Sequence, residues 1–394
     1  MNPITICQLT GQEQLDAMFN LGSYAFKPSP PFPDKEAWLE VARAREGVTY
    51  LAVLEEGRAV AGMAASSMSE NVRGRLYETT GIWGVATDPA ARRRGYVRQL
   101  IAELFAERRA AGHVLSTLYP FRESFYERMG YATFPLSRIA RFKPAALASL
   151  LRQDFGGEVE RVFIGDGFPE YREFLYRLQA RVHGMGVFHL WNKVAAQRGH
   201  FWLALAKVGG ETVGVMRYEL TGDEITQFLM RASNLYSLTS QGKYLLLQWI
   251  ARHVDQAGQV ELALPAFEHP ETWLADLSVK LESAVRAPMG RVLDVSALGG
   301  MQTGPGCFSA RIADPLCAWN DRVWRFETVD GALRVEPADK GDCTLSIQGL
   351  SGLVYGTHDP ADFAIRGWGD ASPDLQVTLR SMFPAVIPYL HEEF

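Results

Sequence analysis

The sequence contains few cysteines, no histidines at metal-ligand spacing and no long apolar run. The four cysteines, Cys7, Cys307, Cys317 and Cys343, show no Cys-x-x-Cys spacing. This pattern argues against a disulfide framework or a zinc site and predicts a reducing, cytoplasmic compartment. The eight histidines form no His-Glu-x-x-His pattern, so the sequence predicts no bound metal. No segment approaches the roughly 18 apolar residues of a membrane span, and the first residues show no signal-peptide pattern, so no membrane association is expected.

The chain also lacks a strong positive charge. Its 45 acidic residues and 40 Lys and Arg residues give a net charge of −5 at pH 7, whereas proteins whose main partner is nucleic acid present a strongly basic face. The hydrophobic content of 47% and the charged content of 22% are typical of a globular protein. With 394 residues, the chain is long enough for two or three domains. The composition therefore predicts a globular, multidomain protein that does not bind nucleic acid.

The most informative segment runs from Gly81 to Gln99. An apolar, strand-like run ends at Asp88-Pro89, a basic turn with one glycine follows at Arg92 to Gly95, and a helix is predicted from Tyr96 to Arg109. Such a strand–turn–helix unit directs the unpaired N–H groups of the helix N-terminus at one point, which attracts phosphate. Taken alone, an arginine run is more often the solvent-exposed start of a helix than a ligand site.

The basic turn resembles the acyl-coenzyme A signature of the GCN5-related N-acetyltransferases (GNAT), Arg/Gln-x-x-Gly-x-Gly/Ala. The match falls on Arg92 to Val97, with Val97 where the family has a small residue. Further along, Tyr126 with Gly130-Tyr131 resembles the Tyr-x-x-x-Gly-Phe/Tyr element of the same family, and a strand-like run from His113 to Tyr119 precedes it. Two motifs in this order and at this spacing predict an acetyltransferase.

The order of predicted elements divides the chain into domains at residues 1–150, 151–283 and 284–394. The first has the element order of one GNAT domain, a mixed sheet covered by helices. A partial repeat, in which Leu203 to Met216 echoes Leu51 to Met63, predicts a second, degenerate GNAT-like domain.

At the position of the phosphate-binding turn, this second copy has only Ser240 to Lys243. The arginines that would hold a pyrophosphate are missing, so a scaffolding role is expected. The last hundred residues, with short strand-like runs followed by helical segments, resemble a sterol-carrier-like α/β domain.

Two tandem GNAT-like domains followed by this third domain resemble the Eis (enhanced intracellular survival) acetyltransferases over essentially the whole chain. The resemblance implies a mixed α/β fold with helix-covered sheets. It also implies direct transfer of an acetyl group from acetyl-CoA to a primary amine, and a homo-oligomer, either a hexamer or a trimer.

The resemblance also implies roles for individual residues. Tyr126 is the expected acid for the leaving thiolate, because a phenol with a reference pKa of about 10 can donate to a thiolate whose conjugate acid has a pKa of about 8.5. The carboxylate of Phe394 is the expected base, since the Eis family uses the C-terminal carboxylate of its own chain. From the residues alone, Tyr126 is equally consistent with packing on a helix, and a chain end is usually frayed.

The remaining site residues form two groups. The residues expected to bind acetyl-CoA are Val85, Ala86, Thr87, Arg92, Arg93, Arg94, Gly95, Tyr96 and Val97, with a main-chain N–H near Val85 polarising the thioester carbonyl. The residues expected to bind the acceptor are Tyr24, Phe26, Trp38 and Trp83.

The acceptor itself is predicted to be a small cationic amine. Aromatic side chains attract cations, and the carboxylates of Asp34 and Glu36 lie nearby in sequence. Each of these side chains is equally consistent with an ordinary core or surface position. A proline run follows Phe26 where family members that act on aminoglycosides carry a carboxylate, so aminoglycosides are not the expected acceptors. Two alternatives stay open: a protein-lysine acetyltransferase, and a non-catalytic sensor that binds acyl-CoA or lipid.

Overall fold

The computed structural model describes residues 4–27, 34–190 and 201–392. Its strands are β1 (Ile4–Leu9), β2 (Val48–Glu55), β3 (Arg58–Val72), β4 (Arg75–Thr87), β5 (Leu115–Leu118), β6 (Ala132–Thr133), β7 (Arg138–Phe142), β8 (Glu158–Phe163), β9 (Gly186–Phe188), β10 (Trp202–Val208), β11 (Glu211–Thr221), β12 (Phe228–Ser237), β13 (Ala257–Leu264), β14 (Lys280–Ser283), β15 (Met289–Val292), β16 (Cys307–Ala313), β17 (Val323–Val329), β18 (Ala332–Pro337) and β19 (Cys343–Ser346). Its α-helices are α1 (Gly11–Phe26), α2 (Lys35–Arg43), α3 (Tyr96–Ala110), α4 (Glu123–Glu127), α5 (Ile164–Gln179), α6 (Ser240–Ala251), α7 (Ile347–Tyr355), α8 (Phe363–Arg366) and α9 (Pro373–Met382).

The chain divides into two compact units. The first contains residues 4–135, 182–190 and 286–392, and the second contains residues 136–181 and 201–285. Residues 136–150 fall in the second unit because β7 pairs with β13 and with β14 there. The predicted division of the chain into three domains at residues 150 and 283 stays a prediction.

A mixed sheet is the framework of the first unit. Its strand order is β1-β2-β3-β4-β5-β15-β6, and β9 pairs with β3. Strands β1 to β4 pair antiparallel, whereas β4 and β5 are parallel because α3 connects them as a crossover. Strand β15 comes from the C-terminal part of the chain and pairs antiparallel with both β5 and β6. The sheet is therefore completed by a strand that is remote in sequence.

Helices cover this sheet and bury its apolar side chains. Helix α3 starts at Tyr96, as predicted, and buries Leu100, Ile101, Leu104 and Phe105 among side chains of β2 to β5. These residues recur with the spacing of one helix face, so their burial follows from the sequence pattern. Helix α1 packs on another group of buried residues that includes Tyr50 and Ala64. Within the described ranges, none of the helices combines the length and the hydropathy that crossing a membrane requires.

The C-terminal part of the first unit contains a smaller sheet with the order β18-β17-β16-β19. Helices α7, α8 and α9 follow it in the chain. Its core includes the stacked rings of Phe308 and Phe326, whose centroids lie 4.8 Å apart. The same core continues to Met68 and Val72 of β3. The predicted mixed α/β class, with helix-covered sheets and a C-terminal α/β region, is confirmed.

The second unit has a sheet of its own, with the order β14-β7-β13-β12-β11-β10-β8. Strands β10, β11 and β12 pair antiparallel, and β12 is parallel to β13 across helix α6. This repeats the connectivity of β2, β3, β4, α3 and β5 in the first unit. The partial sequence repeat thus coincides with a repeated order of strands and helix.

Candidate active site

A cavity of about 1290 Å³ opens in the first unit. It is lined by all of the residues predicted to bind the coenzyme: Val85, Ala86, Thr87, Arg92, Arg93, Arg94, Gly95, Tyr96 and Val97. The cavity is also lined by Tyr126, the expected acid, and by three of the residues expected to bind the acceptor: Phe26, Trp38 and Trp83. The structure therefore brings these two groups to the same place as the coenzyme residues. Tyr24 is 61% exposed and does not line the cavity. Phe394 lies outside the described residues.

The N-terminus of α3 presents uncapped N–H groups to this cavity. Gly95 is the N-cap residue, at φ +79°, and no side chain caps the helix. Arg93 also has a left-handed backbone, at φ +63°. A Cβ atom at Gly95 would meet nothing within 4 Å, which leaves space for a ligand in front of the helix. Open N–H groups at the positive end of a helix dipole form an arrangement that binds phosphate.

The arginines of the basic turn differ in their partners. Arg94 donates to the carboxylate of Glu55 at 2.8 Å, and the hydroxyl of Tyr96 donates to the same carboxylate. The Tyr96 hydrogen bond and the positive charge of Arg94 lower the pKa of Glu55. Among the described residues, Arg93 has neither an ion pair nor a side-chain hydrogen bond. Arg93 is therefore available to a phosphate group, whereas Arg94 is already neutralised.

The corresponding helix start in the second unit is closed. Thr239 Oγ1 accepts a hydrogen bond from the N–H of Gly242 at 3.1 Å and so caps α6. A Cβ atom at Gly242 would lie 2.6 Å from the carbonyl oxygen of Val213, so this turn packs directly against the main chain of β11. Thr239 thus takes up one of the N–H groups at the start of α6, whereas no side chain caps α3. This difference accompanies the lack of an arginine cluster at this turn, and the scaffolding role of the second copy stays a prediction.

Strands β4 and β5 separate beside the cavity. Their parallel pairing ends at Ile82 and Leu118, while β4 continues to Thr87. A bulge interrupts β4 there, because its pairing with β3 passes directly from Trp83 to Ala86. Gly84, at φ +61°, and Val85 are therefore left without partners on β3. A bulge next to a cavity re-aims the main chain, which fits the expected N–H donor near Val85.

The hydroxyl of Tyr126 has no hydrogen-bond partner among the described residues. Tyr126 is 3% exposed, and its ring packs edge-on against Phe121, Phe125 and Tyr131 with centroids 5.9, 5.1 and 6.0 Å away. Burial raises the pKa of this phenol well above its usual value of about 10. The arrangement fixes the ring and keeps the hydroxyl protonated at neutral pH. Tyr126 can therefore donate a proton to a ligand in the cavity.

The turn after Tyr126 explains why the motif contains glycine and tyrosine. Gly130 has φ +97°, and a Cβ atom there would lie 2.5 Å from the guanidinium of Arg291. Arg291 donates to the carbonyl oxygen of Met129. The hydroxyl of Tyr131 is 2.7 Å from Ser116 Oγ on β5. The turn is thus tied to β5 and β15, which fixes the position of α4 and of Tyr126.

Tyr50 is a cavity residue that the sequence reasoning missed. Its side chain is 1% exposed and lines the cavity, yet its hydroxyl has no hydrogen-bond partner in the described part of the chain. The hydroxyl lies beside Gly62, where a Cβ atom would be only 2.1 Å away. No sequence signal distinguishes Tyr50 from the other tyrosines, because its special position depends on the glycine on the neighbouring strand.

The two carboxylates expected near the acceptor, those of Asp34 and Glu36, lie at helix α2. Asp34 caps α2, where its side chain accepts from the N–H groups of Glu36 at 3.0 Å and Ala37 at 3.3 Å. Neither Asp34 nor Glu36 lines the cavity. The ring of Trp83 does line it, but the guanidinium of Arg45 lies 4.5 Å from the centroid of that ring.

Two family models match parts of the sequence. Residues 7–134 match the acetyltransferase (GNAT) domain. The chain carries a GNAT acetyltransferase domain. Residues 296–391 match the sterol carrier protein domain. The GNAT match includes the whole basic turn, α3 and Tyr126, and it confirms the prediction of an acyltransferase domain. No curated protein matches the sequence significantly.

Several solved structures share the fold of this chain over its whole length. A GCN5-related N-acetyltransferase from Anabaena variabilis superposes with a TM-score of 0.85 at 18% identity, over 100% of both chains. A GCN5-related N-acetyltransferase from Kribbella flavida has a TM-score of 0.80 at 21% identity, over 100% of this chain and 99% of the other. Eis1 from Mycobacterium abscessus has a TM-score of 0.79 at 16% identity, over 100% of both chains. At these identities, the likeness is one of fold.

Proposed function

We propose that this protein is an Eis-type N-acetyltransferase that moves an acetyl group from acetyl-CoA directly to a primary amine. The observation that carries the proposal is that one cavity contains both the open N-terminus of α3, with its basic turn, and the hydroxyl of the buried Tyr126, which has no partner among the described residues. The first feature suits a pyrophosphate, and the second suits a leaving thiolate. A protein that only senses acyl-CoA needs no proton donor beside the thioester sulfur of that ligand. The hydroxyl of Tyr126 in the cavity therefore favours an enzyme over a sensor.

In the proposed reaction, the N–H groups at the start of α3 and the side chain of Arg93 hold the pyrophosphate. The main chain at Val85 donates to the thioester carbonyl oxygen as negative charge develops on it, and one such donor contributes about 3 to 4 kcal/mol in a site without water. The neutral amine attacks, a C–N bond forms and the C–S bond breaks. Tyr126 gives its proton to the thiolate, the acylated nitrogen loses one proton to a base or to water, and the Tyr126 phenolate then takes up a proton from solvent.

We propose the carboxylate of Phe394 as that base. The described end of the chain supports this role, because the hydroxyl of Tyr119 donates to the carbonyl oxygen of Leu390 at 3.3 Å, and Tyr119 lines the cavity. The side chain of Glu392 accepts from the N–H of Phe188 at 3.3 Å. These two contacts hold the C-terminal segment in place, and the first attaches it to a residue of the cavity lining.

A small amine is the proposed acceptor. Trp38, Trp83 and Phe26 give the cavity aromatic walls, which suit a compact organic molecule. A protein-lysine acceptor is the rival within the same chemistry, and lysine peptides in the assay distinguish the two. From the resemblance to the Eis family, we further propose a cytoplasmic homo-oligomer, either a hexamer or a trimer. Light scattering coupled to size-exclusion chromatography measures the molar mass of the assembly and so tests the oligomeric state.

The test is thiol release from acetyl-CoA in the presence of different amines: polyamines, aminoglycosides, arylhydrazides, amino acids and lysine peptides. We expect release that requires both acetyl-CoA and one class of amine, with the N-acetyl product identified by mass spectrometry. Arg93→Gln should raise the KM for acetyl-CoA, and the exposed Arg334→Gln, in the small C-terminal sheet, serves as the matched control. Tight binding of acetyl-CoA without turnover of any amine would favour the sensor instead.

A further inference from the structure

A short segment with two glycines, Val-His-Gly-Met-Gly-Val-Phe at residues 182–188, has no role in the site described so far. None of its residues lines the cavity, and it lies outside both ranges that match family models. The N–H of Gly184 donates to the carbonyl oxygen of Asn71 at 2.6 Å, and β9, which ends the segment, pairs with β3. The ring of His183 accepts from the N–H of Arg73 at 3.0 Å. The segment, here called the tail seat, is thus fixed to β3 and to the turn after it.

The described end of the chain lies on the tail seat. Residues 384–392 follow the last helix and are here called the tail. The N–H of Tyr389 donates to the carbonyl oxygen of His183 at 2.9 Å. In the other direction, the N–H of Phe188 donates to the side chain of Glu392 at 3.3 Å. Hydrogen bonds therefore join the tail to both ends of the seat.

The glycines of the seat give the tail its space. Three residues of the tail, each two positions after the one before, approach a glycine so closely that a Cβ atom on it would meet them: Val386 at Gly356, Pro388 at Gly184 and Leu390 at Gly186. At Gly184 this atom would lie 2.6 Å from the Cβ and 2.9 Å from the Cα of Pro388. Pro388 and Leu390 are buried, whereas Ile387 is 38% exposed. A period of two is that of an extended chain with one face covered.

The seated tail passes a residue of the cavity lining. The hydroxyl of Tyr119, which lines the cavity, donates to the carbonyl oxygen of Leu390 at 3.3 Å. Two residues follow Glu392 in the sequence, and an extended chain spans at most about 3.6 Å per residue. The proposed base at Phe394 therefore lies within about 7 Å of the main chain of Glu392. The place of the tail on its seat limits where this carboxylate can be.

We infer that the tail seat positions the C-terminal tail for the proposed reaction, and that Gly184 is the positioning residue on which this depends. Gly184 acts only through the tail, because it does not line the cavity. A Cβ atom there would have to displace the main chain of Pro388 and not the end of a flexible side chain. The inference rests on the proposed function in taking the end of the tail as the base, but the docking of the tail on the seat does not depend on it.

The first test measures docking without turnover. In Gly184→Ala, the main-chain amide of Tyr389 should exchange its hydrogen about tenfold faster or more, because it loses its acceptor on His183. Mass spectrometry of C-terminal peptides measures this exchange. Gly112→Ala is the matched control: Gly112 lies in the same unit at φ +87°, against +77° for Gly184, but a Cβ atom there meets nothing within 4 Å. It should leave exchange in the tail unchanged. Unchanged exchange in Gly184→Ala would overturn the inference.

A second pair of variants leaves the seat itself unaltered and serves if Gly184→Ala does not fold. Glu392→Ala removes the side chain that accepts from the N–H of Phe188, so exchange at Tyr389 should again become faster. Glu392→Gln keeps an oxygen at this position and should lie closer to the wild type. Exchange at the wild-type rate in Glu392→Ala would contradict docking of the tail on the seat.

The second test measures whether docking matters for the reaction, with the amine that the wild type acetylates fastest. Gly184→Ala should lower kcat about tenfold or more, because the base is misplaced, while the Kd for acetyl-CoA stays the same. The loss should shrink as the pH rises towards the pKa of the amine, since the solution then supplies neutral amine. A variant that only weakens the fold would lose activity in the same proportion at every pH. Gly112→Ala should match the wild type in kcat, in Kd and in the pH profile.

The two tests separate this inference from the proposed function. Faster exchange of the tail in Gly184→Ala together with an unchanged kcat would overturn the positioning role and leave the transferase proposal intact. A loss of kcat that is equal at all pH values would also overturn it, because the effect would not pass through a base. If the wild type acetylates no amine of the panel, the transferase proposal falls, and protection of the tail that depends on Gly184 still supports the seat.

Discussion

The guanidinium of Arg291 and the carboxylate of Asp314 form an ion pair of 2.6 Å, with both side chains completely buried. Arg291 lies on β15, and the same guanidinium donates to the carbonyl oxygen of Met129 in the turn after Tyr126. Asn320 donates to the Asp314 carboxylate at 3.0 Å. The pair thus connects the C-terminal part of the chain to the turn that holds the proposed acid.

Removing one charge of this pair should destabilise the first unit strongly. Asp314→Asn leaves the guanidinium of Arg291 buried without a counter-charge, which costs about 3 to 5 kcal/mol. Urea unfolding followed by circular dichroism measures the loss. Glu336→Gln removes the partner of Arg334 in an exposed ion pair and should leave the urea midpoint unchanged. Equal midpoints for the Asp314 variant and the wild type would refute the structural role of the pair.

Gly95 provides a test of the phosphate-binding turn. Gly95→Ala introduces a Cβ into a left-handed backbone at φ +79°, at a cost of about 1 to 2 kcal/mol, and distorts the N-cap of α3. The KM for acetyl-CoA should rise several-fold. Gly209→Ala is the matched control, because Gly209 is also left-handed, at φ +60°, and has open space around it, but it lies in the second unit. An unchanged KM in the Gly95 variant would contradict the proposed contact.

The buried hydroxyl of Tyr50 provides a test of stability. Tyr50→Phe removes a buried hydroxyl that has no protein partner among the described residues, so the free energy of unfolding should stay the same or rise by about 1 kcal/mol. Urea unfolding followed by circular dichroism measures this free energy. A marked loss of stability would indicate that the hydroxyl is satisfied within the protein.

His183 gives the stability a pH dependence. Its Nδ1 accepts from the N–H of Arg73 at 3.0 Å, and Nε2 is 3.0 Å from the carbonyl oxygen of Tyr355, so the neutral ring satisfies both contacts. Burial lowers the pKa of His183 to about 4, whereas the unfolded value is about 6.5. Between these values the unfolded state binds more protons, and stability therefore falls as the pH decreases from about 6.5 to 4.

Urea midpoints at pH 7.5 and pH 5.0 measure this dependence. The wild type should be clearly less stable at pH 5.0, and His183→Asn should show a smaller difference between the two pH values, even if it is less stable at both. Identical pH dependence in the two proteins would show that His183 does not contribute to it.

Local sequence patterns predicted the parts of the site that are continuous in the chain. The strand, the basic turn and the helix from Tyr96 lie within one short segment, and Tyr126 is separated from Gly130 by a single turn. The sequence could not reveal β15, because its place between β5 and β6 depends on pairing with strands that are far away in the chain. For the same reason, the covering of Trp83 by Arg45 and the position of Tyr50 beside Gly62 became visible only in the fold.

The carboxylates expected beside the acceptor, Asp34 and Glu36, illustrate this limit. In the sequence, aromatic side chains with carboxylates nearby predict a cationic acceptor, and this stays a prediction. In the fold, Asp34 serves as a helix cap, and the described side chains around the cavity carry only positive charges. Composition near a motif indicates which residue types are available, but the hydrogen bonds decide which of them reach a ligand.

The most direct test of the account is the steady-state comparison of Tyr126→Phe with the wild type, using the best amine from the panel. Tyr176→Phe, which alters an exposed tyrosine of α5, is the matched control. If Tyr126 protonates the thiolate, kcat should fall about a hundredfold or more, while the Kd for acetyl-CoA, measured calorimetrically, stays the same. A Tyr126→Phe variant that turns over at the wild-type rate would contradict the proposed mechanism.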